Sequence, residues 1–166
     1  LGHGMKGIKK LSIQDALNYA ATNPDEIIFQ QCIDIAKDST YMVGVLCDKN
    51  SKSCRSFVSK STDTLYVNGG PATAGISVQN DFLVKESTRL LENVSWIGPA
   101  GVEWLFDNTT NQFFLIDVNP RLWGYSSLMH AAGSDFVSAM IKILMNVNPG
   151  VDLGYKKNIK MKRFFV

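Results

Sequence analysis

Cysteine, net charge and unbroken hydrophobic sequence are all scarce in this 166-residue chain. The three cysteines, Cys32, Cys47 and Cys54, are odd in number and show no C-x-x-C spacing, so a zinc site or a disulfide framework has no support. Free thiols are the default, with a bridge between Cys47 and Cys54 across the polar turn at 48–53 as the alternative. The 17 Lys+Arg against 15 Asp+Glu leave a net charge of +2, too small for a strong electrostatic footprint for nucleic acid or membrane. No apolar run approaches the ~20 residues of a membrane span. The opening Leu1-Gly2-His3-Gly4 lacks the basic and apolar regions of a signal peptide. A soluble, cytoplasmic protein is expected, with neither nucleic acid nor membrane as partner and with oligomerisation left open. No repeat or low-complexity tract is visible. The 45% hydrophobic and 19% charged residues describe an ordinary globular domain. At this length roughly 70% of the unfolded chain's surface can be buried, enough to fold without disulfides or a structural metal.

What is present reads as hairpins separated by helices. Ile8 to Leu11 reads as a short strand, and Ser12 with Asp15 makes a capping box for a helix that Asn23-Pro24 ends. Glu26 to Ile33, Tyr41 to Cys47 and Arg55 to Ser59 read as strands, the last two joined by the polar turn. Residues 61–81, polar and carrying Gly69-Gly70-Pro71, read as a long loop. A helix follows from about Asp81 to Asn93, with Phe82, Leu83, Leu90, Leu91 and Val94 as its buried stripe. Gly101 to Phe106 and Phe113 to Val118 form a second hairpin across 107–112. A short helix near Ser126 to Ala132, stopped by Gly133, precedes a longer one capped by Ser134 or Asp135, and a basic, β-prone tail ends the chain. The class is therefore α+β with a mainly antiparallel sheet and flanking helices.

The chemistry concentrates in the second hairpin. Glu103 lies in Val102-Glu103-Trp104, and Asp117 in Leu115-Ile116-Asp117-Val118-Asn119-Pro120-Arg121. A carboxylate in an apolar strand needs a partner. With the turn near Thr109-Thr110, the two acids stand at matching heights on neighbouring strands, about 4.5–5.5 Å apart at Cβ. Asn119 falls on the same face by alternation, which gives three oxygen ligands for Mg²⁺ or Mn²⁺. The competing reading is an edge hairpin whose acids face water. Arg121, next to Pro120, suits bidentate phosphate or carboxylate binding, or else a salt bridge to Asp117 or Glu103. The opening Gly2-His3-Gly4-Met5-Lys6-Gly7 can bring backbone N–H groups to phosphate, but it lacks the Gly-Lys-Ser/Thr ending of a P-loop. His130 reads as a structural helix residue, and Trp96, Trp104 and Trp123 as packing residues, Trp123 near enough to the motif to line a pocket.

Taken in order, the Gly-rich opening, the strand ending Gln30-Gln31-Cys32-Ile33, the meander, Gly69-Gly70-Pro71-Ala72-Thr73, Gly101-Val102-Glu103 and Asp117-Val118-Asn119-Pro120-Arg121-Leu122-Trp123-Gly124 resemble the ATP-grasp superfamily. Its carbamoyl-phosphate-synthase-like and carboxylate–amine ligase branches are the most similar. The resemblance implies two parts, 1–33 as the remainder of a small subdomain and 34–166 as the large subdomain carrying the metal and phosphate site. The N-terminal subdomain would then be incomplete.

The resemblance also implies roles. Glu103, Asp117 and Asn119 would hold Mg²⁺ against ATP, and Arg121 would grip the transferred phosphoryl group. Gly2, His3, Gly4, Met5, Lys6 and Gly7 would form a flap over the phosphates. Gln30, Gln31, Cys32 and Ile33 would form the hinge against adenine, and Asp38 (or Asp34) would meet the ribose. Lys60 would approach phosphate, and Gly69 to Thr73 would line the acceptor side. The implied activity is Mg- and ATP-dependent phosphorylation of a small carboxylate to an acyl phosphate, which an amine or similar nucleophile attacks. Asp117 stands where the family usually has Glu. A non-catalytic nucleotide-binding or interaction module of the same fold is the alternative function, and nucleic-acid binding by the basic tail is a third.

Overall fold

The computed structural model describes residues 9–23, 28–33, 39–66 and 69–163. They belong to two units, Leu1–Asp34 and Ile35–Val166.

In the first unit, helix α1 spans Ile13–Thr22. Ser12 caps it as expected: its Oγ accepts from the Asp15 N–H at 3.1 Å and donates to Asp15 Oδ2 at 2.7 Å. The apolar positions Ile13 and Leu17 stay exposed and line an open cavity of about 960 Å³ with Ile28, Phe29 and residues 30–32. The strands expected at 8–11 and 26–33 are not found over the described parts, 9–11 and 28–33, which are irregular. Their β-forming side chains have no ladder partner among the described residues, and β-propensity without a neighbouring strand does not make a strand.

In the second unit, six strands form one sheet: β1 Thr40–Cys47, β2 Ser53–Tyr66, β3 Gly69–Val78, β4 Gly98–Asp107, β5 Gln112–Asn119 and β6 Lys160–Lys162. The order is β5-β4-β1-β2-β3-β6 and every neighbouring pair is antiparallel. Helix α2, Asp81–Asn93, covers one face through Leu83 and Leu91, which pack on Val43, Val45, Val58 and Val102. Helices α3, Ser126–Ala131, and α4, Phe136–Leu144, cover part of the other face, where Leu128, Met129, Phe136 and Ile143 meet Leu46 and Phe57. Asn80 caps α2 and Asp135 caps α4. Among the described residues no helix is long and apolar enough to cross a membrane.

Two further expectations are corrected. The long loop at 61–81 is instead the second half of β2 together with β3. Its polarity misleads because the buried hydroxyls find partners: Ser77 Oγ donates to the Lys156 carbonyl at 2.8 Å, and Ser61 Oγ to the Asp63 carbonyl at 3.2 Å. The buried stripe of α2 is Leu83, Ser87 and Leu91, while Phe82 and Val94 are exposed. Ser87 holds a core position because its Oγ accepts the Trp104 indole N–H at 3.0 Å. The expectation of free thiols holds, since Cys47 and Cys54 do not face each other. Cys47 packs on the α2 side and Cys54 on the α3–α4 side, so both are free thiols.

Candidate functional site

The β4–β5 hairpin places Glu103 directly opposite Asp117 and Gly101 opposite Asn119. Its turn is held by Asp107, whose carboxylate accepts from the Thr109 N–H and from Thr110 Oγ1, both at 2.8 Å. These bonds hold the Asp107 carboxyl below the usual range. Ile116 is skipped in the ladder, so a bulge separates the Trp104–Leu115 pair from the Glu103–Asp117 pair. The bulge lets Leu115 share the face of Trp104 while Asp117 still faces with Glu103.

Strand alternation fixes what stands beside the acids. Glu103 is opposite Met42, which is opposite Ser59, so Asp117, Glu103, Met42 and Ser59 make one row across the sheet. Asn119, Gly101, Gly44 and Phe57 make the next row on the same face. Glu103 is half-buried and Asp117 exposed. Burial first, and then the Asp117 charge, push the Glu103 carboxyl above its ordinary range. Asp117 Oδ1 accepts from the Val118 N–H at 2.9 Å, and Oδ2 accepts from Asn119 Nδ2 at 3.2 Å. Among the described residues no Lys or Arg forms an ion pair with either acid.

Past Asn119 the chain makes a tight turn about Pro120, with the Arg121 N–H donating to the Asn119 carbonyl at 2.8 Å. The Arg121 guanidinium donates to Asn119 Oδ1 at 3.1 Å and to the Leu122 carbonyl at 3.2 Å. It bonds neither carboxylate. Glu103, Asp117, Asn119 and Arg121 are thus gathered at one strand end.

The donor set of two carboxylates and an amide is all oxygen, and one acid is raised partly by the other's charge. A hard divalent cation such as Mg²⁺ fits that set, since it takes oxygen ligands and would relieve the repulsion. Among the described residues no three His, Cys, Asp or Glu side chains group as a metal cage.

Other expected site residues are placed elsewhere or not described. Lys60 is opposite Tyr41, on the α2 side of the sheet, with Nζ 5.7 Å from the Tyr41 ring centroid. Alternation puts it on the face away from Glu103. Gln30, Gln31 and Cys32 are exposed and Ile33 half-buried, all in irregular chain of the first unit. Gly2, His3, Gly4, Met5, Lys6, Gly7, Asp34 and Asp38 lie outside the described residues. Thr73 is a buried β3 residue. His130 is exposed at the end of α3.

Sequence reasoning missed Tyr125 and Arg163. Tyr125 is buried on the face of Glu103 and its hydroxyl donates to the Ala74 carbonyl at 3.0 Å. Arg163 lies over its ring at 5.8 Å. Burial pushes the Tyr125 phenol up. The available signal was Gly75, a strand-interior glycine, since a Cβ there would lie 2.6 Å from the Tyr125 ring.

Several known proteins are similar to this chain in sequence or fold. The family profile described as carbamoyl-phosphate synthase L chain, ATP binding domain, matches residues 23–149. Acetyl-CoA carboxylase 1 of Arabidopsis thaliana is 27% identical over 131 residues, covering 73% of this chain and 6% of that protein. Pyruvate carboxylase of Rhizobium etli superposes with a TM-score of 0.55 at 22% identity, over 65% of this chain and 10% of that one. The biotin carboxylase domain dimer of 2-oxoglutarate carboxylase from Hydrogenobacter thermophilus, solved with MgADP, ADP and bicarbonate, gives 0.57 at 14% identity, over 75% and 27%. The chain spans about 6% of the length of the curated relatives it matches.

Proposed function

The chain belongs to the family of the carbamoyl-phosphate synthase L chain ATP-binding domain and has the ATP-grasp fold. From that premise we propose that it binds Mg-ATP beside the β4–β5 hairpin and transfers the γ-phosphoryl group to a small carboxylate. The observation that carries the proposal is the facing pair Glu103 and Asp117, with Asn119 and Arg121 at the same strand end.

Glu103, Asp117 and Asn119 would hold Mg²⁺ or Mn²⁺. The bound cation would neutralise phosphate oxygens as charge shifts between them. Asn119 would turn its Oδ1 from Arg121 toward the cation, and the guanidinium so released would pair with the phosphoryl oxygens in a bidentate way. First, a substrate carboxylate oxygen bonds to the γ-phosphorus as the bond to the β–γ bridging oxygen breaks, and ADP leaves. Next, an amine or similar nucleophile bonds to the acyl carbon, inorganic phosphate departs, and the nucleophile loses a proton to solvent. Arg121 stabilises the charge on the phosphoryl group in both steps. Bicarbonate, the anion bound in the Hydrogenobacter thermophilus relative, is one candidate for the carboxylate. Adenine contact by Gln30, Gln31, Cys32 and Ile33, phosphate cover by the Gly2 to Gly7 stretch and ribose contact by Asp38 belong to the same proposal.

ADP release in the presence of Mg²⁺, ATP, bicarbonate or another small carboxylate, and an amine tests it. Carboxylate-dependent release that Arg121→Ala abolishes is expected. Release no greater than that of Arg121→Ala with any pair would favour the non-catalytic module.

A further inference from the structure

Gly44 and Gly101 face each other across β1 and β4, so the sheet carries a two-residue notch with no side chain on either strand. The Trp123 indole fills it. A Cβ on Gly44 would lie 1.6 Å from Trp123 Cη2 and 2.0 Å from Cζ2. One on Gly101 would lie 3.2 Å from Trp123 Cβ and 3.4 Å from Cγ. The ring therefore lies along the row that Asn119 begins, spanning from β4 to β1. Phe136 closes over it edge to face, at 5.5 Å and 77°. Only 3% of Trp123 is exposed.

The same segment is pinned further along. Tyr125 crosses to β3, rests on Gly75 and bonds the Ala74 carbonyl. Only Pro120, Arg121 and Leu122 separate Asn119, paired to Gly101, from Trp123, seated on Gly101. Both ends of this short connection thus rest on one residue of β4, and Glu103 lies two residues further along that strand on the same face.

We propose that Trp123 is a positioning residue: seated in the Gly44–Gly101 notch, it fixes the height of Asn119 and Arg121 against Glu103 and Asp117. The proposal rests on the functional reading above. A core tryptophan that only filled space would leave the contribution of Arg121 unchanged once the ring was displaced. A positioning tryptophan couples its own seat to the contribution of Arg121.

A double-mutant cycle separates the two. Gly44→Ala adds a methyl group that overlaps the ring and alters no group of the site. It is expected to weaken Mg-dependent ATP binding, measured by calorimetry, by about tenfold, the scale of one charge-assisted contact. Arg121→Ala should cost a similar factor, and the two together no more than either alone. The Arg121 amide should exchange hydrogen faster in Gly44→Ala. Ser87→Ala, on the opposite face, lowers the melting temperature yet should change neither readout.

If Gly44→Ala does not fold, Trp123→Phe, which shortens the ring without overlap, takes its place with the same expectations. Multiplicative losses in the cycle, or unchanged Arg121 exchange, overturn the proposal. Should the wild type bind no Mg-ATP, the functional reading fails, while the exchange result still decides whether Trp123 holds the turn.

Discussion

Glu103 is the residue on which the pH dependence and the proposed metal binding turn. Its carboxyl is raised by burial and by Asp117, so the folded chain holds a proton that the unfolded chain has lost in the interval above the ordinary carboxylate range. Stability from this group is full below that range and is lost as pH rises through the raised value. Glu103→Gln removes the penalty. Without Mg²⁺ the wild type should lose melting temperature relative to Glu103→Gln as pH rises from about 4.5 toward 8. Added Mg²⁺ should restore it in the wild type and not in the variant. Thermal unfolding across that range, with and without Mg²⁺, reads both effects.

Elements explain what could be read in advance and what could not. That Glu103 and Asp117 stand near each other was legible from two apolar strands around a Thr-rich turn, although the unbroken register from Asp107–Gln112 to Trp104–Leu115 would set Glu103 opposite Ile116. The bulge at Ile116 was not, since only the packing of Phe113 against Tyr41 and Phe106 shows why the outer half of β5 changes phase. The serines of β2 and β3 hid a strand pair, because their polarity gives no sign of partners such as the Lys156 carbonyl, distant in sequence, that satisfies Ser77. The face of Lys60 is a single step of alternation from that of Ser59, which only the Tyr41–Lys60 register fixes. Ser87 was passed over for Phe82 because hydrophobicity alone cannot report a hydrogen bond to a buried indole. Ser87→Ala leaves the Trp104 N–H without its partner and should cost about 1–3 kcal/mol in chemical denaturation. Mg-ATP affinity should stay unchanged, since Ser87 lies on the other face of the sheet.

Across the whole molecule, one sheet divides two tasks. The face under α2 is an apolar core built from Val43, Val45, Val58, Val102, Leu83 and Leu91. The opposite face carries the carboxylates, the Trp123 notch and Tyr125 beside the α3–α4 core. The fold class followed from hairpins and capped helices. The candidate site was legible in one hairpin and the turn after it. Tyr125 was not, although it follows Arg121 by four residues, because its partner Ala74 is distant in sequence, and Arg163 was not, because it reaches the Tyr125 ring from the far end of the chain. The central claim is that the Glu103–Asp117 pair binds the metal of Mg-ATP. Calorimetric titration of ATP into the wild type and into Glu103→Gln with Asp117→Asn, each with and without Mg²⁺, tests it most directly. The account predicts Mg-dependent binding in the wild type that the double variant loses by at least about tenfold. Equal affinity of the two proteins in Mg²⁺ would contradict it.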